Sequence, residues 1–142
     1  ILDEFNIPYE MVIASAHRTP EAVKSFVERL EAEGAIAFIA GAGAAAHLPG
    51  VVASFTTVPA IGIPLNATAL KGIDSLLAIV QMPSGMPVAT MAVDGAKNAA
   101  LFAVQIGATF NKELKEKYVA YRKDMADKVL ADNAALQAEL NK

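Results

Sequence analysis

Cysteine and tryptophan are both missing from the 142 residues, and histidine occurs only twice. Without cysteine there is no disulfide, no thiolate nucleophile and no sulfur-ligated metal, and a reducing, cytoplasmic compartment is expected. Two imidazoles cannot make a three-histidine zinc site within one chain, so no metal centre is expected. Aromatic residues are confined to six Phe and three Tyr, and the formal net charge is -3. Neither a base-stacking platform nor a basic face is therefore available, which excludes nucleic acid as a partner. Charge itself is sparse, and Gly34 to Leu70 contains no Asp, Glu, Lys or Arg. No membrane span follows from this: the longest wholly apolar run there, Ala35 to Ala46, falls short of the roughly 20 residues a bilayer needs. Pro49, Pro59 and Pro64 interrupt the rest.

Apolar side chains are what the sequence does have. Hydrophobic residues make up 54%, with 29 Ala among the 142 residues; such a chain folds, and its length fits one domain over residues 1–142. Ile1-Leu2-Asp3-Glu4-Phe5 reads as the end of an amphipathic helix whose beginning lies upstream, which points to an amino-terminal truncation. Neither a basic leader nor an apolar run with a cleavage site is visible.

After the break Asn6-Ile7-Pro8, the β-rich run Tyr9 to Ala14 predicts a strand. Thr19-Pro20-Glu21 then supplies a capping hydroxyl, a proline at the first helical position and an acid in the first turn. Val23, Phe26, Val27 and Leu30 share one face of a helix that Gly34 ends. Ala35 to Ala40 is apolar on both faces, as in a parallel strand covered on both sides. A Gly-rich loop at Gly41–Ala46, a short helix after Pro49, a strand at Ala60–Ile63, a helix at Ile73–Gln81, a strand at Val88–Val93 and a helix from Asp94-Gly95 to Ile106 follow. This alternation predicts a doubly wound α/β sheet. From Asn111 to Leu140 the pattern changes to a charged helix with Leu114, Tyr118, Tyr121, Met125, Val129, Leu136 and Leu140 at three- or four-residue steps. Such a helix is longer than a small domain can cover, so its stripe is expected to pack on a neighbouring subunit.

Ligands of open α/β sheets bind at the carboxyl ends of the strands, where helix amino termini favour anions. Both histidines fall there, His17 in Ser15-Ala16-His17-Arg18-Thr19-Pro20 and His47 at the end of the Gly41 loop. Ser15, Arg18 and the N–H groups after Thr19 together suit a phosphate, and an imidazole beside them can give and take a proton. Gly41-Ala42-Gly43-Ala44-Ala45-Ala46 matches a loose dinucleotide fingerprint, but no acid occurs between Glu33 and Asp74 to hold a ribose, which argues against NAD. Asp74 and Asp94 are expected as caps or first-turn charges, and Lys71 and Lys97 as surface residues.

The segments Ser15–Pro20, Ala40–Gly43 continuing to Ala46-His47-Leu48-Pro49-Gly50, Asp74–Leu77, Ile79–Pro83 with Gly85, and Asn98–Leu101 together resemble the class I N5-carboxyaminoimidazole ribonucleotide mutases, the catalytic subunit of the phosphoribosylaminoimidazole carboxylase family. The resemblance implies a flavodoxin-like three-layer α/β/α sandwich, a homo-octamer in which the carboxyl-terminal helix embraces a neighbour, and a carboxyl migration in purine biosynthesis without metal or cofactor. It implies that His17 protonates the carbamate nitrogen and later removes the ring proton, that Ser15 and Arg18 hold the ribotide phosphate, and that Gly43, His47 and Leu48 line the aminoimidazole pocket. The family's amino-terminal strand and Gly-Ser-x-Ser-Asp loop do not occur in this numbering, and without them the sheet is expected to lack a central member. Ala44 stands where many relatives have Gly, and its methyl is expected to be tolerated. Related direct carboxylases carry Lys after the His and lack the Ala-Ala-His-Leu-Pro run, so Arg18 and His47 favour the mutase. The contrasting expectation is a non-enzymatic flavodoxin-like module that binds a phosphorylated ligand or flavin.

Overall fold

The computed structural model describes residues 1–141. Its elements are α1 (Pro20–Ala32), β1 (Phe38–Gly43), α2 (Leu48–Ser54), β2 (Ala60–Leu65), α3 (Ile73–Val80), β3 (Ala89–Thr90), α4 (Ala96–Ala108) and α5 (Lys112–Leu140). The three strands are parallel in the order β1-β2-β3, with Phe38 opposite Ala60, Gly43 opposite Leu65, and Ile61 opposite Ala89. Because side chains alternate along a strand, β2 serves two layers. Ala60 joins Val23 and Val27 of α1, Phe38 and Ala40 of β1 and Val52 of α2 in one buried cluster. Ile61 and Ile63 face the other way onto Ala99 and Ala103 of α4. The result is the three-layer, flavodoxin-like α/β/α sandwich.

Gly62 shows how tightly one layer sits. A Cβ there would stand 2.6 Å from Ile79 Cγ2 and 3.2 Å from Pro49 Cβ, so α2 and α3 press onto a face that has no room for a side chain. Ile61, Ile79, Val27 and Val104 are almost wholly buried, each worth about 1.5–3 kcal/mol of transfer free energy. The buried Ser75 hydroxyl donates to the Leu65 and Gly72 carbonyls at 2.9 and 3.0 Å, tying the start of α3 to the end of β2.

Three predicted strands are corrected. The strand read at Ala35–Ala40 begins at Phe38 and runs on to Gly43, into the segment read as a Gly-rich loop, because its pairing with Ala60–Leu65 sets its ends. Tyr9 to Ala14 forms no strand and pairs with none among the described residues, and Met11 and Ile13 are exposed. β-Propensity needs a partner to satisfy the backbone; this segment has instead the ion pair from Arg29 Nη2 to Glu10 Oε2 at 2.7 Å, which holds the Glu10 carboxyl below its usual range, chiefly through the hydrogen bond. Val88 to Val93 contracts to Ala89–Thr90, although the Met91 and Asp94 N–H groups still donate to the Gly62 and Pro64 carbonyls at 2.9 Å; Val93 packs where a Cβ on Gly72 would lie. Ile1–Phe5 forms helical-type turns, with Phe5 N–H on the Ile1 carbonyl at 3.1 Å. Phe5 is buried with Val104 and Leu114.

Candidate active site

The segment Ser15–Thr19 precedes α1 and is closed by its own polar groups. Thr19 N–H donates to the Ser15 carbonyl at 2.9 Å. The Ser15 N–H donates to Thr19 Oγ1 at 2.8 Å, and the Thr19 hydroxyl donates back to the Ser15 carbonyl at 3.2 Å. The Arg18 N–H donates to Ser15 Oγ at 3.2 Å, leaving the hydroxyl proton of Ser15 available. Thr19 therefore does not cap α1 through its side chain, contrary to the expectation from Thr-Pro-Glu. A Ser/Thr hydroxyl competes for nearby backbone groups, and the spacing of four between Ser15 and Thr19 was the signal. The Ala22 and Val23 N–H groups turn back to the Thr19 carbonyl. The Arg18 side chain is exposed, with no ion-pair partner among the described residues.

The second half of the site is the loop from Gly43, the last residue of β1, to α2. Ala44 and Ala46 have φ of 53° and 46°, so the methyl of Ala44 sits in the left-handed region that glycine occupies without penalty. Ala46 N–H closes the turn on the Gly43 carbonyl at 3.0 Å. Gly43 itself is required by contact: a Cβ would lie 2.5 Å from Ala67 Cβ in the loop after β2. Buried Ala46 and Pro49 flank exposed His47 and half-buried Leu48, and the His47 carbonyl accepts the Val51 N–H at 3.0 Å at the start of α2.

These two loops bring the histidines together. His17 Nε2 and His47 Nδ1 are in hydrogen-bond contact, with ring centroids 4.5 Å apart and planes inclined by 70°. Ser15, His17 and Arg18 stand on one loop, and Gly43, His47 and Leu48 follow the turn from the end of β1 into α2, at the carboxyl end of the sheet. A cleft of about 320 Å³ adjoins His47, lined also by Gly50, Val51, Ala78 and Met82. A larger cleft of about 740 Å³ opens at the opposite end of β2 among Phe55, Val58, Met86, Phe102 and Ile106, and Glu31 is its only titratable residue. Hydrogen bonds from Thr56 and Thr57 hold that Glu31 carboxyl below its usual range. Size favours the second cleft, but the first is the one that adjoins the imidazole pair, through His47.

The acids lie outside this centre. Asp74 is a first-turn residue of α3, as expected, and its Oδ2 accepts the Thr68 hydroxyl at 2.8 Å. Asp94 is not a cap: Gly95 holds that position, while Asp94, at φ 56°, accepts the Asn66 N–H at 3.0 Å. Both carboxylates fasten the loop that covers Gly43. Lys71 is exposed, and Lys97 Nζ lies 6.0 Å from the Tyr121 ring centroid.

The AIR carboxylase family model matches residues 1–128. An N5-carboxyaminoimidazole ribonucleotide mutase of Pyrococcus horikoshii is 57% identical over 129 residues, covering 91% of this chain and 73% of the relative. The Escherichia coli K12 protein of the same name is 50% identical over 132 residues, covering 92% and 78%. Treponema denticola PurE superposes with a TM-score of 0.83 at 32% identity, over 95% of this chain and 84% of that one. With its flavodoxin-like layers and its paired histidine loops, the chain belongs to the AIR carboxylase family.

Proposed function

We propose that this chain is an isomerase of purine biosynthesis that interconverts N5-carboxyaminoimidazole ribonucleotide and 4-carboxy-5-aminoimidazole ribonucleotide. The contact between His17 and His47 carries the proposal, because it puts an acid/base imidazole at the ligand-binding end of an α/β sheet whose relatives bear that name. The proton on His17 passes to the carbamate nitrogen as the N–C bond breaks, its electron pair staying on nitrogen, and carbon dioxide is released into the pocket. The ring carbon then attacks carbon dioxide, and His17 takes the proton from that carbon. One proton is lent and recovered, so the step needs neither metal nor cofactor.

The Ser15 hydroxyl and the Arg18 fork bind the ribotide phosphate. Gly43, His47 and Leu48 line the aminoimidazole side, and the mostly hydrocarbon cleft beside His47 suits retention of carbon dioxide by excluding water. The enzyme works as a cytoplasmic homo-octamer with α5 lying on a neighbour. The test is to add freshly prepared carbamate ribotide in the presence of a metal chelator and follow the 4-carboxy product, reading flavin absorbance on the same sample. Turnover is expected. An inactive yellow protein would replace the mutase with a flavin-binding module.

A further inference from the structure

The imidazole contact joins one defined pair of atoms, Nε2 of His17 and Nδ1 of His47. A single proton lies between two facing ring nitrogens, and a neutral imidazole has only one to place, so the contact couples the tautomers of both rings. Were His47 the donor, neutral His17 would carry its proton on Nδ1 and present no bare nitrogen away from its partner. With His17 as donor, its Nδ1 is bare, and that atom has no hydrogen-bond partner among the described residues. Abstraction of a proton from carbon requires a bare nitrogen. No acidic side chain forms an ion pair with either ring among the described residues, so the second imidazole takes the orienting part that a carboxylate plays in a catalytic triad. Both rings stand on fixed mounts: the Ser15–Thr19 turn is closed by four hydrogen bonds, and His47 lies between buried Ala46 and Pro49 at the start of α2.

We propose that His47 is a positioning residue that accepts the Nε2–H of His17 on its own Nδ1, making Nδ1 of His17 the atom that exchanges the substrate proton. The proposal rests on the mutase assignment and refines it. In the decarboxylation half, Nδ1–H gives its proton to the carbamate nitrogen; in the carboxylation half, Nδ1 takes the proton of the ring carbon. The Nε2–H of His17 stays on His17 and hydrogen-bonded to Nδ1 of His47 throughout, and His47 keeps its own proton on Nε2.

Two-bond ¹H–¹⁵N spectra of the substrate-free protein, recorded about two units above the ordinary imidazole value of about 6.5, report which ring nitrogen carries the proton. His17 should be protonated on Nε2 and bare at Nδ1; the opposite tautomer overturns the proposal whatever the activity. His47→Leu removes the acceptor and should mix the His17 tautomers. It should lower kcat by at least about tenfold, a fraction of the roughly 10⁴-fold cost of a wrongly held catalytic imidazole. His47→Asn, whose Oδ1 lies near the place of Nδ1, should restore both the single tautomer and much of the rate. A His47→Leu enzyme with raised KM and unchanged kcat would confine His47 to lining the aminoimidazole pocket and end the positioning proposal. If the leucine variant does not fold, the wild-type spectrum and the asparagine variant still decide. The correct tautomer in a protein without mutase turnover would uphold the imidazole pair and remove the reaction assigned to it.

Discussion

His17 and Arg18 are neighbours on a turn whose shape is set by Ser15 and Thr19, so each side chain can be replaced with its mount intact. His17→Asn should retain ribotide binding and lose about 10²- to 10⁴-fold in turnover, checked by calorimetric titration beside a product assay; a variant keeping more than about a tenth of the rate would take the proton transfer away from His17. Arg18→Lys preserves charge and removes the fork. It should weaken the ribotide far more than the unphosphorylated nucleoside, and equal weakening would remove Arg18 from the phosphate. At this scale the sequence was informative about His47, because a histidine between a strand and a helix lands at the carboxyl end of a parallel sheet; His17 reaches the same place through its turn before α1, although the strand expected ahead of it does not form. The sequence was silent on which atoms meet. The contact of His17 with His47 spans 30 positions, and no local spacing encodes it.

Helices were more legible than strands. The apolar stripe of α1 and the short α2 after His47 follow from residues near in sequence, whereas strand membership depends on a partner elsewhere. That is why Tyr9–Ala14 has strand composition without a ladder and why Val88–Val93 shrinks to two paired residues. The loop after β2 shows the same dependence. Asp94 holds it at Asn66 and Asp74 at Thr68, and it packs on Gly43 closely enough that a Cβ would meet Ala67 Cβ at 2.5 Å. Gly43→Ala should therefore destabilise by about 1–3 kcal/mol. Ala67→Gly removes the opposing methyl, so the double variant should recover much of the loss, a coupling of about 0.5–3 kcal/mol in urea unfolding midpoints. Strict additivity would mean that the two loops do not press on one another.

The whole molecule is asymmetric in how it uses its apolar surface. Helix α5 has 29 residues and spans about 44 Å, but only its first turns dock at home. Leu114 is buried, Tyr118 packs with it, and Tyr121 meets Phe5 with ring centroids 5.4 Å apart. From Met125 onward the stripe is bare: Met125, Val129, Leu136 and Leu140 are all exposed. The helix is supported along its surface by the i,i+4 pairs Lys112 with Glu116, Glu113 with Lys117, and Lys123 with Asp127, each worth about 0.2–0.5 kcal/mol. Tyr121 thus belongs to the domain's own packing and is the wrong residue with which to probe assembly. Met125 and Val129 are the right ones, since in the proposed octamer each would be buried at a subunit boundary and contribute about 1.5–3 kcal/mol, and both are exposed in the single chain. Met125→Glu combined with Val129→Glu should leave the circular dichroism of the fold intact while light scattering falls from the mass of an octamer toward smaller species. An unmodified protein that scatters as a monomer at micromolar concentration would leave the outer half of α5 with no neighbour to cover it and would defeat the octamer.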